Sequence, residues 1–270
     1  MSKRSQKAFE GTEGELGVMT KELDELHHDV GLPAMRQGVA NMIDAMSGAV
    51  RPTSRRTFLM GAGAAAAGGA AMMVVGSTPS LAGASTRAVS PFHAASAAFP
   101  PAGLKGDLAV AAVAASLENL AVFAYSAGLA AATAGKLGAV PPAVATFATT
   151  VKGQHTQHAA AWNGVLKSNG KAKVSVTNPT LTPVVQADFA KVIDIPGLAK
   201  LAITLETIAA QTYQAETSML KSPAAIGLSS SIQPVEMQHI AILYYVLGEY
   251  PGAQTSSGTP VAFNPTTMAL

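Results

Sequence analysis

A nine-residue pattern occurs twice in this chain, and each copy sets a glutamate in the middle of an apolar, helix-forming stretch. Leu117-Glu118-Asn119-Leu120-Ala121 leads to Tyr125, and eighty-eight residues later Leu205-Glu206-Thr207-Ile208-Ala209 leads to Tyr213. Each copy is followed by a second stretch ending in Gln-His: His155-Thr156-Gln157-His158, and then Glu236-Met237-Gln238-His239. A glutamate helix followed by a histidine helix, repeated once, predicts two helical hairpins of the same design joined by a long crossover.

The energetic problem posed by the glutamates narrows the choice further. From Ser85 onward the acidic residues are Asp107, Glu118, Asp188, Asp194, Glu206, Glu216, Glu236 and Glu249. Glu118 and Glu206 are flanked by Leu, Ala, Val and Ile, so a helix there buries a carboxylate, which costs several kcal/mol unless it is paired or protonated. No basic residue lies between Lys105 and Lys136 to pair with Glu118. A bound cation resolves this. Residues three apart share a helix face, so His155 with His158, and Glu236 with His239, can each converge on one centre. The chain has no Cys, which leaves His, Asp and Glu as ligands and excludes disulfides and thiolate chemistry. Tyr125 and Tyr213 follow their glutamates by seven residues on the same face; ordinary core packing is the plainer reading, hydrogen bonding to ligands the functional one. Glu216, ten residues after Glu206, falls far around the helix and is left outside the site.

Few aromatic and charged residues and abundant Ala and Gly agree with Ala-rich helices. The first bundle helix is expected over about 107–134 with Asp107 as N-cap, and the second over 142–167, stopped by Asn169-Gly170. A short crossover helix is expected near 185–192 and the third bundle helix over 197–220. The fourth is expected over 230–247, with Pro234 in its first turn, where a missing N–H does little harm. The net charge of +2, with basic residues scattered, gives no footprint for nucleic acid. No nucleophile elbow, phosphate loop or dinucleotide fingerprint is present.

The order of ligands resembles that of the ferritin-like family, in which single glutamates from two helices join Glu-x-x-His pairs from two others. The resemblance covers most of 107–248 and is closest to secreted or desiccation-related members. It implies an all-α, antiparallel four-helix bundle with Glu118, Glu206, Glu236, His239 and His158 as metal ligands. His155 stands where that family has Glu; it joins the ligand set here, but loss of a bridging carboxylate puts a symmetric two-metal site in question. The resemblance further implies di-iron or Fe/Mn redox chemistry on Fe(II), oxygen or peroxide. A structural or stress-protective bundle without catalysis is the alternative, and a homo-oligomer is compatible with either.

Upstream, Ser54-Arg55-Arg56-Thr57-Phe58-Leu59-Met60 and the uncharged run from Gly61 to Gly76 closely resemble a twin-arginine export signal, with Ala82-Gly83-Ala84 as cleavage site. That divides the chain into a cytoplasmic helical extension (1–53), signal or membrane anchor (54–84), linker (85–106), bundle (107–248) and irregular tail (249–270). It implies the twin-arginine translocase as partner, membrane contact through 58–76 if uncleaved, and a periplasmic, cell-wall or secreted location. In the extension, Leu16, Met19, Leu23, Leu26 and Val30 predict an amphipathic helix interrupted near Pro33, with a second helix through Met46. His27 and His28, adjacent and thus about 100° apart, make a poor chelate and read as part of a solvated, charged face.

Overall fold

The computed structural model describes residues 13–46 and 103–249, and every regular element among them is helical. Helices α1 (Glu13–Leu26) and α2 (Leu32–Met46) form an N-terminal arm, joined by one π-helical turn at His27–Gly31. The bundle consists of α3 (Asp107–Thr133), α4 (Pro142–Ser168), the short α5 (Leu181–Phe189), α6 (Ile195–Thr217) and α7 (Pro223–Val246). Helices α3 and α4 form one hairpin and α6 and α7 the other, with α5 in the crossover. This is the all-α bundle expected from the repeat. The expected export signal, the linker up to residue 102 and the tail from residue 250 lie outside the described residues.

Local chemistry sets the ends of the helices. Pro142 and Pro223 sit in first turns, where no donor is lost. Asp194 caps α6 by accepting from the Gly197 N–H at 2.8 Å. Two expectations are corrected. Asp107 does not cap its own helix: its carboxylate accepts the Lys221 and Ser222 N–H groups at 3.0 and 2.8 Å, tying the start of α7 to the start of α3. The fourth bundle helix begins at Pro223, so Pro234 lies in its interior rather than its first turn. The apolar run Ala224–Leu228 faces the core and extends the helix despite the proline. The expected interruption near Pro33 is present as the π turn at His27–Gly31, with a second helix running to Met46. The π turn absorbs the missing donor of Pro33, and α2 continues past the proline.

The buried apolar side chains fall into three clusters, one around Trp162 and Leu228, one around Phe147 and Leu243, and a smaller one around Leu120 and Leu181. Trp162, Phe147, Leu166 and Leu228 are fully buried, each contributing about 1.5–3 kcal/mol. Helix α3 is long and apolar enough to cross a membrane, with mean hydropathy 1.7 over its best window, yet it is a core helix with buried Glu118 near its centre. The arm lies in the groove between α4 and α7. Met35 joins the core containing Trp162 and Leu228, and Gly38 brings α2 close to Ala224, where a Cβ would sit 3.4 Å from the carbonyl oxygen. The buried stripe of α1 is Leu16, Thr20, Leu23 and then His27, while Leu26 and Val30 are exposed. The expected stripe holds at Leu16 and Leu23, while Thr20 and His27 take the buried places expected for Met19 and Leu26.

Candidate metal centre

Four helices each deliver their polar residues to one level of an otherwise apolar bundle. Glu118 comes from α3, His155 and His158 from α4, Glu206 from α6, and Glu236 and His239 from α7. All six are at most 2% exposed. They form two overlapping groups in which one ligand atom per residue lies within 4.8 Å of the others: Glu118, His155, His158 and Glu236, and then His155, Glu206, Glu236 and His239. His155 and Glu236 belong to both.

The shared residues divide their donor atoms between the groups. His155 Nδ1 lies 2.8 Å from Glu118 Oε2, while its Nε2 lies 3.2 Å from Glu206 Oε1. Glu236 Oε1 is 3.0 Å from His158 Nδ1, and its Oε2 is 3.4 Å from His239 Nδ1. These contacts of Glu236 are close but not directed as hydrogen bonds, so both buried carboxylate oxygens lack a hydrogen-bond partner. Buried oxygens left in this way are costly, and a cation between them and the facing imidazoles removes the cost. Oxygen and imidazole donors suit iron, manganese or zinc, so the residues present fit a metal.

Without a metal, the cluster compensates itself with protons. Burial opposes charge on Glu118, His155, His158, Glu206 and His239, but the interactions within the cluster outweigh it. Burial would raise Glu118, yet the His158 charge and the His155 hydrogen bond bring it down to about 2. Burial would lower His158, and the facing Glu118 and Glu236 instead raise it to about 9. His155 is pushed well above the usual histidine range, against burial, by Glu206 and Glu236; His239 is raised by Glu206. Glu206 is held low by His155 and His239. A metal therefore enters by displacing protons.

Each tyrosine bonds across to the other repeat. Tyr125 donates to Glu206 Oε1 at 2.5 Å, and Tyr213 donates to Glu118 Oε1. Ordinary packing is thus the wrong reading for both hydroxyls, which orient the carboxylates. Burial and the adjacent glutamate charge raise both phenols well above their ordinary range, keeping them as donors. Trp162 in turn donates to the Tyr213 oxygen at 2.9 Å. Glu216 stays outside both groups, as expected, but it is buried, and burial together with the Glu118 charge raises it to about 8.

Sequence reasoning missed the outer neighbours. Gln154 Oε1 accepts from His239 Nε2 at 2.8 Å, which leaves Nδ1 of a neutral ring free to ligate. His27, read as solvated, is 1% exposed; its Nε2 meets Gln157 Oε1 at 2.6 Å, and its ring lies 5.2 Å from that of His158. Burial and the His158 charge lower it to about 4. The signal for it was present, because Leu16, Thr20, Leu23 and His27 fall at helical spacings of four, three and four. His28 does point to solvent, bonding the Asp24 carbonyl.

The family model described as a ferritin-like domain matches residues 106–249, more than half of the chain. No curated protein and no solved structure matches it.

Proposed function

We propose, from the premise that this chain belongs to the ferritin-like domain family, that it is an exported metalloprotein holding two iron or manganese ions at the six-residue cluster. The observation that carries this reading is the pair of overlapping four-residue groups, fully buried, with both Glu236 oxygens lacking a hydrogen bond. Such ions would supply one-electron redox chemistry toward Fe(II), dioxygen or peroxide. The chain's own residues support that use. Tyr125 and Tyr213 hold the two single glutamates in place, and the apolar helix faces exclude water. An apolar cavity of about 60 Å³, lined by Tyr125, Phe147, Leu198, Leu205, Leu243 and Val246, adjoins the Glu206 half and suits a small apolar molecule such as dioxygen. Passage through the twin-arginine translocase, which carries folded proteins, would allow metal loading inside the cell. Because the arm precedes the signal, cleavage there or anchoring through 58–76 would part it from the bundle, so the docked arm belongs to the chain before export.

A second reading, a structural or stress-protective bundle without catalysis, has one observation in its favour. The three imidazoles and three carboxylates compensate one another without a metal. Metal analysis by mass spectrometry on the full chain, purified natively beside a Glu118→Ala/His239→Ala double variant, separates the two. About two iron or manganese ions per chain, lost in the variant, support the redox reading. An empty protein whose melting temperature is unmoved by added metal leaves the structural one.

A further inference from the structure

His155 occupies the position where the family has a glutamate, and of the three histidines of the cluster it is the one whose two ring nitrogens both face carboxylates. His239 turns one nitrogen toward the carboxylates and gives the other to Gln154. A ligating histidine ordinarily spends its second nitrogen in this way, on an acceptor outside the site. His155 has no such outer acceptor. Its Nδ1 faces Glu118 and, at 3.9 Å, Glu236 Oε1, while its Nε2 faces Glu206. The ring lies between the other two imidazoles, 5.8 Å from His158 and 5.2 Å from His239, and stacks on Tyr125 at 5.7 Å. Glu236 divides its two oxygens in the same sense.

We propose that His155 is a ligand shared by two divalent cations, Nδ1 serving the Glu118–His158 half and Nε2 the Glu206–His239 half, so that an imidazole takes the place of a bridging carboxylate. This rests on the metal-binding reading above and assigns the connection between the two ions. A neutral imidazole has one free lone pair. Filling the second half breaks the remaining ring N–H bond, its electron pair becomes the second metal–nitrogen bond, and the proton leaves to solvent. The ions then sit on opposite sides of an aromatic ring. Their separation exceeds the ~3.5–4 Å of common two-metal sites.

The test loads the full chain with cobalt(II). Ions are counted by mass spectrometry, and their separation is read by anomalous diffraction. The wild-type chain is expected to hold two cobalt ions separated by more than ~4 Å. His155→Ala removes a donor from both halves. Both dissociation constants are then expected to rise by more than about a hundredfold, beyond the 10–100-fold range for losing an outer partner. His155→Glu is expected to keep two ions at a separation contracted to ~3.5–4 Å, and this variant carries the test if the alanine variant does not fold. Loss of one ion in His155→Ala with the other dissociation constant unmoved overturns the bridge but leaves metal binding standing. So does a wild-type separation already at the contracted value. A wild-type chain that takes up no cobalt overturns both.

Discussion

The two halves of the cluster come from one repeated design but are finished differently. In the half built on Glu206 and His239, the histidine is anchored from behind by Gln154, and the apolar cavity lies alongside. In the half built on Glu118 and His158, the position equivalent to Gln154 is Val235, and the Nε2 of His158 has no hydrogen-bond partner. There the N-terminal arm brings His27 to the far side of the ring. The tyrosines differ too: Tyr213 carries Trp162, whereas the position equivalent to Trp162 in the other hairpin is Leu243. A repeat thus supplies matching first ligands, while the residues behind them decide how firmly each is held. The Glu206 half is held from within the bundle and the Glu118 half partly from outside it.

The sharpest way to break this comparison is to remove what the halves share. Glu236→Ala takes a donor from both and is expected to abolish metal uptake, whereas Glu118→Ala empties only its own half; ions per chain by mass spectrometry distinguish them. Without metal, Glu236→Ala also strands His158 and His239 beside one fewer carboxylate, and losing a partner from a buried pair costs about 3–5 kcal/mol, readable by denaturant unfolding.

A change of pH separates proton from metal compensation. His158 is raised from 6.5 to about 9, so its contribution to folding is complete below pH 6.5 and is lost as pH rises through about 9. Glu118 is lowered to about 2, so its contribution is present above 4.5 and is lost as pH falls through about 2. Thermal melts of the metal-free chain are therefore expected to peak between pH 4.5 and 6.5 and decline toward 9. The metal-loaded chain is expected to stay stable across that alkaline decline, because deprotonated imidazoles are what the metal binds.

Smaller effects sharpen the contrast between the anchors. Gln154→Leu is expected to weaken metal binding about 10–100-fold in the Glu206 half alone, measured by competition with a chelator. His27→Leu removes a neighbour rather than a hydrogen-bonded anchor and is expected to shift the Glu118 half by less than about tenfold. The smallest signal is spectroscopic. Trp162 is the chain's one tryptophan and reaches Glu118 through Tyr213. Its emission is expected to change when the Glu118 half fills and to stay constant when the other half does.

The elements legible in the sequence were those with a period or an energetic conflict. Glu118 and Glu206 stood out because an apolar helix does not carry a carboxylate without a partner, and the Gln-His repeat brought His158 and His239 to the same level. The role of His155 was not legible, since one letter does not say which way two ring nitrogens point. Gln154 and Trp162 act through single hydrogen bonds to residues far along the chain, and no local pattern announces them. His27 was hidden by a plausible alternative: Leu26 beside it is apolar and fits a helical stripe almost as well. The helix start at Pro223 is not legible, because Pro234 signals a boundary that the core contacts of Ala224, Ala225 and Leu228 override.

The docking of the arm also imposes an order in time. Its groove is built from α4 and α7, and α7 is complete only at Val246, about two hundred residues after Met46 leaves the ribosome. At about 5–20 residues per second that is an interval of roughly 10–40 s, during which the groove that Leu16, Leu23 and Met35 cover is incomplete. The first helices made are thus among the last to find their place, and their docking registers that synthesis has reached the far end of the bundle.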